Sequence, residues 1–440
     1  MTKFRIEFDW QDPQGAKGPE LRATWADLKI IVGDEVITTV VNDKSRSTRD
    51  TITLPLYPLT EWMATHWWSL LYEQTSPGRP SQDTYEERHC LRFAREGYAL
   101  PGLCIRPLGN SILFEWSPLH LSSCGVRFIK GGWAGIPLKD VRESLGELIE
   151  SVLGRLQEHQ IGNTLLFEEW NTIQNADEDE TDFCIAAARL GLDPYNLDKQ
   201  QQNAITQAAE KVPASILDDF FSVAESNLLP YQSTSLLGAI ESTHSQSYEL
   251  PDLLDLRRQL PKPSAQAPWD QGYEFARSLR TLIHQEERGF ESIEEIGEAL
   301  HMEPNALNQS IIPTPNLGFL DGLLAINQKG SPGFLVTRRN EASKRYTFCR
   351  ILFEWLNSSG ANPAIVSRVR SDRQQRNRAF AAEFLAPAKL VQERISGSTI
   401  SDDEVNDLAE DFHVSDYVIR HQIENHHLAT VISSDNHFSG

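Results

Sequence analysis

The chain has 440 residues and a formal net charge of −21, with 40% hydrophobic and 23% charged residues. This length predicts several domains, each long enough to bury a core. The acidic balance argues against nucleic-acid or membrane-surface binding by the whole chain, because phosphate contacts need a basic face.

The five cysteines are scattered along the chain, and no two of them form a Cys-x-x-Cys pair. We therefore expect buried free thiols rather than a disulfide framework or a cysteine-bound zinc. The first ten residues lack the apolar segment of a signal peptide, and no apolar run is long enough to span a membrane. These features predict a cytoplasmic protein without a membrane partner.

The first 160 residues predict one α+β domain. Strand patterns dominate up to residue 57, with a hairpin at Gly33-Asp34, and return over residues 103–136. Helical spacing lies between these regions, and residues 137–159 have the apolar stripe of an amphipathic helix.

Helices are predicted for most of the middle of the chain. Residues 161–245 form a helical domain, in which the acidic run 177–182 suits a helix N-terminus. Residues 246–268, rich in Ser, Pro and Gln, are the best linker, with a short helix near 253–260. Residues 269–318 resemble half of a helix-turn-helix, but their second helix, at 304–311, has few basic groups and favours a packing hairpin.

The remaining residues, 319–440, contain an ordered set of motifs. A β-hairpin is followed by Arg345-Tyr346-Thr347 at the start of a helix, and then by Arg-Ala-Phe-Ala-Ala-Glu-Phe-Leu-Ala-Pro at 378–387. Phe-x-Val-Ser follows at 412–415. This order resembles the ImmA/IrrE family of zinc peptidases over about a quarter of the chain. The resemblance implies a zincin-like C-terminal domain. Together with the N-terminal domain and the helical middle region predicted from the residue patterns, it gives an α+β protein.

The resemblance also implies where zinc ligands would stand. In that family a helix with His-Glu-x-x-His supplies two ligands and the catalytic Glu, and the next helix supplies a third ligand. Counted from Arg345, the two His positions fall on Arg350 and Glu354, and the catalytic Glu position falls on Ile351. Counted back from Phe380, the third position falls on Gln374. The resemblance therefore implies a degenerate site, and we predict no catalytic residue, no metal ligand and no cofactor.

A basic stretch surrounds these positions. Residues 338–378 contain ten Lys and Arg against three Asp and Glu, a net charge of +7 that leaves −28 for the rest of the chain. One interpretation is an anion pocket where the zinc would be; the other is pairing of these cations with acidic residues elsewhere in the chain. The candidates for a degenerate or anion-binding site are Arg350, Glu354, Arg370, Arg373, Gln374 and Arg376.

A second histidine-rich group lies near the end of the chain, where His421, Glu424, His426 and His427 cluster. His421 and Glu424 share a helical face, but one such pair is a weak metal signal, and a solvated helix end is favoured.

Three functions remain open. The leading hypothesis is a non-catalytic regulatory protein that binds a protein partner, in a toxin–antitoxin, mobile-element or phage-defence setting that rests on the resemblance alone. The alternatives are an active zinc metallo-endopeptidase with unrecognised ligands and a nucleic-acid-binding regulator that uses residues 338–378. Whether the protein is an enzyme stays open, with a pseudo-peptidase preferred.

Overall fold

The computed structural model describes residues 3–432, except 14, 76–81, 95, 246–250, 266, 303–316, 359 and 361. The chain forms two compact units, Met1–Ile205 and Thr206–Gly440. Both units combine helices with small sheets, so the α+β class predicted from the sequence is confirmed. No helix in the described ranges is both long and apolar enough to cross a membrane.

The described part of the first unit contains eleven strands and seven complete helices. The strands are β1 (Phe4–Trp10), β2 (Trp25–Val32), β3 (Glu35–Val36), β4 (Val40–Asn42), β5 (Thr48–Arg49), β6 (Ile52–Pro55), β7 (Gly102–Pro107), β8 (Ser111–Ser117), β9 (Leu119–Leu121), β10 (Val126–Phe128) and β11 (Gly132–Pro137). The helices are α1 (Pro19–Ala23), α2 (Tyr57–Thr65), α3 (Trp67–Tyr72), α4 (Gln82–His89), α5 (Leu138–Glu158), α6 (Leu165–Asn175) and α7 (Glu178–Arg189), and α8 (Lys199–Lys211) runs on into the second unit.

The second unit contains the remaining described elements. The helices are α9 (Ala214–Val223), α10 (Leu229–Ser245), α11 (Pro251–Gln259), α12 (Pro268–Leu282), α13 (Ile293–Ala299), α14 (Glu341–Asn357), α15 (Asp372–Leu385), α16 (Ala388–Arg394), α17 (Asp402–Asp411) and α18 (Asp416–Asn425). The strands are β12 (Gly322–Ile326), β13 (Pro332–Val336), β14 (Ala364–Val366), β15 (Thr399–Ser401) and β16 (Thr430–Ile432).

Small antiparallel sheets and one long helix build the first unit. β2 pairs with β1, β3 and β6, and the β2–β3 hairpin confirms the turn predicted at Gly33-Asp34. The apolar stripe of α5 is buried in the core beneath these sheets, as its three- and four-residue spacing predicts. Asp177 caps α7 by accepting a hydrogen bond from the Glu180 backbone, so the acidic run begins a helix.

One expectation for the first unit is wrong. Cys90 and Cys104 form a disulfide, whereas the sequence predicted free thiols. The two residues face each other in an isolated antiparallel bridge with their Cα atoms 4.1 Å apart. Fourteen residues separate them in sequence, so their proximity depends on strand pairing that their spacing does not reveal.

A buried three-stranded sheet organises the second unit. β12 lies in the centre and pairs antiparallel with β13 and β14, and every residue of these strands is buried. α14 packs against all three strands, and α15 packs between α14 and α12. The hairpin and the helix at 372–385 therefore lie where the sequence predicts them.

The region predicted as a linker contains α11, and its Leu253 is buried in the core of the second unit. This helix matches the pattern seen near residues 253–260. Of the predicted helix-turn-helix half, α13 is present, whereas the second helix, at 304–311, lies outside the described residues.

The helices α12 and α15 approach each other closely at Gly272, and a substitution there tests this packing. A Cβ atom added at Gly272 would lie 2.3 Å from the Arg376 carbonyl oxygen and 2.8 Å from the Phe380 backbone nitrogen. We expect Gly272→Ala to lower the free energy of unfolding by about 1–3 kcal/mol, because two backbones must separate. Urea denaturation measures the change.

Gly238→Ala, in the middle of α10, is the matched control, since its added methyl group meets nothing within 4 Å. It should be neutral or stabilising by up to about 1 kcal/mol, as expected for Ala in place of Gly in a helix. Equal effects of the two substitutions would contradict the close approach.

Candidate functional site

Two capped helices bring the candidate residues together. Asn340 caps α14 through the Ser343 backbone, and Ser371 caps α15 through the Gln374 backbone. Helical spacing then places Arg350 and Glu354 on one face of α14, at i and i+4. Gln374, on the first turn of α15, lies opposite this face.

Arg350 is the centre of the site, and its side chain is only 3% exposed. Its guanidinium donates hydrogen bonds to Asn377 Oδ1 at 2.8 Å, Asp321 Oδ2 at 3.0 Å, the Ser367 carbonyl oxygen at 2.6 Å and Gln374 Oε1 at 2.8 Å. Burial lowers the pKa of Arg350 to about 10. Arg350 therefore stays a cation at neutral pH, and only a planar fork of several donors satisfies so many acceptors.

Arg373 forms a second part of the same network, in which one cation contacts two carboxylates. It donates to Glu354 Oε2 at 2.8 Å and to Asp219 Oδ2 at 2.9 Å. Burial opposes the charge, but Glu354 and Asp219 raise the pKa of Arg373. Asn377 closes the network by donating from Nδ2 to Glu354 Oε1 at 2.8 Å.

Gln374 ties the network to the end of β14. Its Nε2 donates to the Ile365 carbonyl oxygen at 2.8 Å, and its Oε1 accepts from the Ser367 backbone at 3.1 Å as well as from Arg350. The side chain is fully buried. The amide is therefore a structural cross-link, because both of its ends are occupied.

Three arginines form ion pairs with the carboxylate of Asp321, the residue immediately before β12. Arg350 Nη1 lies 3.0 Å from Asp321 Oδ2, Arg338 also donates to this carboxylate, and Arg368 Nε lies 3.7 Å from Oδ1. Arg378 approaches from α15 and donates to the carbonyl oxygens of Ser367 at 3.0 Å and Val369 at 2.9 Å.

Four of the six predicted candidates thus meet in one network: Arg350, Glu354, Arg373 and Gln374. Arg370 is exposed on the segment before α15. Arg376 lies outside the network, and its buried Nε has no hydrogen-bond partner in the part of the chain that the structure describes. Ile351, which the resemblance places at the catalytic Glu position, is buried in the apolar core.

Sequence reasoning missed Asp219, Asp321 and Asn377. Asn377 is three residues from Gln374 and four from Arg373, so helical periodicity places it on the same face of α15. The two aspartates lie 154 and 29 residues from their arginine partners. No local pattern signals them, because only the tertiary fold brings them there.

The donor set of this network does not suit a catalytic metal. A guanidinium stands at its centre, and both oxygens of Glu354 already accept hydrogen bonds. A catalytic zinc needs three protein ligands and an open position, and a central cation repels it. Among the residues whose placement is described, no group of three or more His, Cys, Asp or Glu side chains is arranged to hold a metal ion.

The histidines near the end of the chain have separate partners. His421 Nδ1 lies 3.7 Å from Glu424, whereas His426 Nε2 lies 3.6 Å from the buried Glu383. The Tyr273 ring lies 4.5 Å from that of His426, and Tyr417 lies edge-on to His421 at 4.1 Å. These contacts fit a structural role for both histidines.

A smaller buried polar cluster lies in the first unit. Glu73 accepts from Arg88 Nε at 2.8 Å and lies 3.2 Å from His89 Nε2, while His89 Nδ1 donates to the Ile105 carbonyl oxygen at 2.8 Å. Burial alone would raise the pKa of Glu73, but hydrogen bonds from His89 and Arg88 lower it. The cluster cross-links α3, α4 and β7, and its groups already satisfy one another.

No protein-family model, no curated protein and no solved structure matches this chain.

The Arg350 network predicts a large effect from one substitution. Arg350→Met keeps much of the side-chain volume but removes the buried cation that pairs with Asp321. We expect a loss of about 3–5 kcal/mol in the free energy of unfolding, as for one partner of a buried ion pair. Denaturant unfolding followed by circular dichroism measures it.

Arg370→Met is the control, because Arg370 is exposed and makes none of the network's hydrogen bonds, and its effect should be small. The Arg350→Met/Asp321→Asn double variant should be less destabilised than the two single effects added together. Additive effects would show that the two groups are not coupled.

Proposed function

We propose that this protein is a non-catalytic regulatory protein that binds a protein partner, and that its C-terminal domain is a degenerate zincin-like fold of the ImmA/IrrE type. The observation behind the proposal is the Arg350 guanidinium, a buried cation at the point where the zinc-ligand positions implied by the resemblance converge. A toxin–antitoxin, mobile-element or phage-defence setting remains part of the proposal through the resemblance alone.

The convergence itself supports the proposal. Arg350 Nη2 lies 2.8 Å from Gln374 Oε1, and Asn377 Nδ2 bonds both Glu354, at 2.8 Å, and Gln374, at 3.4 Å. In a working enzyme of that family the same three positions must meet around one metal ion. Here the positions meet, but a cation and its hydrogen bonds occupy the space between them.

The chemistry of these side chains supports a scaffold rather than a catalyst. Ile351 neither accepts nor delivers a proton, and the amide of Gln374 and the carboxylate of Glu354 are held by neighbouring donors. Peptide hydrolysis by a metal site needs a polarised water and a general base. A buried, mutually satisfied network supplies rigidity instead, which suits a surface that presents a fixed shape to a partner.

Metal content and peptidase activity of the purified full-length chain test the non-catalytic part of the proposal. We expect far less than one zinc ion per chain by mass spectrometry of the metal, and no chelator-sensitive cleavage of protein substrates. Stoichiometric zinc that is lost in Glu354→Ala would overturn the proposal in favour of an active peptidase. In parallel, affinity capture from the native host should retain a specific protein partner, and should retain it equally after chelation.

A gain-of-metal variant is the positive control for these measurements. A quadruple variant introduces the His-Glu-x-x-His motif on α14 and its third ligand on α15. Its substitutions are Arg350→His, Ile351→Glu, Glu354→His and Gln374→Glu. If the ligand positions are assigned correctly, the folded variant binds about one zinc ion with tetrahedral geometry. A variant that keeps its helical circular dichroism but binds no zinc would count against the zincin-like assignment.

A further inference from the structure

The charges of the network do not balance. Six arginines take part in it or border it: Arg338, Arg350, Arg368, Arg370, Arg373 and Arg378. The carboxylates that contact them in the described ranges are Asp219, Asp321 and Glu354. Three positive charges are therefore left over.

The excess positive charge lies on the side of the network around Asp321. Arg373 pairs with two carboxylates, Asp219 and Glu354, whereas Arg338, Arg350 and Arg368 pair with one, Asp321. We call Arg338, Arg368, Arg370 and Arg378 the arginine rim; they come from the segment after β13, the segment after β14 and α15. Within this rim, Arg368 and Arg370 are exposed, and Arg338 and Arg378 are partly buried.

Arg378 shows the imbalance most clearly. Its hydrogen bonds go to two neutral carbonyl oxygens, Ser367 and Val369, and one of these also accepts from Arg350 at 2.6 Å. Burial, and then the charge of Arg350, lower the pKa of Arg378 to about 9. Burial followed by Arg368 and Arg350 lowers the pKa of Arg338 as well. Crowded guanidinium groups of this kind are stabilised by an added anion.

We infer that the arginine rim binds a phosphate group, presented either by a small phosphate ester or by a phosphorylated side chain of the protein partner.

Two observations favour a compact phosphate group over a nucleic-acid strand. The excess is only three charges, and the chain outside residues 338–378 has a net charge of −28, which repels an extended polyanion. A phosphate monoester concentrates up to two charges and three acceptor oxygens in one group, and arginine forks match those oxygens. Tyr417, which is 58% exposed, and His421 are within electrostatic range of Arg378, and their two rings are in edge-on contact.

The inference rests on the proposed function, because a zinc ion in the same place would itself bind phosphate. Binding is therefore measured on the full-length chain in the presence of EDTA, by isothermal titration calorimetry. The probes are inorganic phosphate, O-phosphoserine and a short phosphoserine peptide, with the unphosphorylated peptide and a single-stranded oligonucleotide as comparisons. We expect a phosphate probe to bind with a dissociation constant of about 1 mM or tighter.

Binding should depend on the rim and on the phosphate charge. Arg370→Gln should weaken binding about tenfold or more, as expected for loss of one charge-assisted hydrogen bond. Arg288→Gln removes the same charge from an exposed position of the same unit and should leave the affinity unchanged. Affinity should also rise as the pH increases through about 6, where the phosphate monoester loses its second proton.

His421 gives an independent readout. Burial, followed by the charges of Arg370 and Arg378 against the opposite effect of Glu424, lowers the pKa of His421. A bound phosphate should raise that pKa, which NMR titration of the imidazole resonances measures. A phosphopeptide that binds tenfold more tightly than O-phosphoserine would identify a protein partner as the source, and equal affinities would identify a small ester.

Three results would overturn the inference: no binding of any phosphate probe, binding that Arg370→Gln and Arg368→Gln leave unchanged, or binding of the oligonucleotide alone. None of them bears on the metal content, so the proposed function survives or fails separately. Conversely, stoichiometric zinc would remove the proposed function, while the calorimetry in EDTA would still report on the rim.

Discussion

A buried guanidinium requires acceptors on every side, and the C-terminal half of the second unit is arranged around this requirement of Arg350. Its four hydrogen bonds join α14, α15, the residue before β12 and the segment after β14. Leaving such a cation unpaired in the interior costs several kcal/mol. The folded state is therefore stable only when the acceptors on all of these elements pair with Arg350. The network therefore acts as a cross-link between the sheet and the two helices that cover it.

The network also separates two electrostatic environments that lie close together. Around Arg373 one cation contacts two carboxylates, Glu354 and Asp219, and hydrogen bonds hold these side chains in place. Around Asp321 three arginines share one carboxylate, and Arg378 has only carbonyl oxygens. The first environment gives rigidity, and the second gives an attraction for anions.

Much of the secondary structure follows from local patterns. The β2–β3 hairpin and α5 lie where turn residues and apolar spacing predict them. The helical spacing predicted between the two strand regions includes two consecutive helices, α2 and α3, with His66 between them. Ser415 stands at the N-cap of α18, but its side chain makes no capping hydrogen bond. Such details depend on packing at element ends, where local propensities are weakest.

The sequence alone determined that the His-Glu-x-x-His motif is missing at the positions where the resemblance would place it, and that a dense group of arginines stands there instead. Helical periodicity was enough to put Arg350 and Glu354 on one face of α14, and it would also have placed Asn377 with Gln374 on α15, although the prediction left Asn377 out. Only the tertiary structure decided which arginines are neutralised. That choice depends on Asp219 and Asp321, which α9 and the start of β12 bring to the network from far away in sequence. Electrostatic pairing acts through space over a few ångströms, whereas a sequence pattern reports neighbours only along one helix or strand.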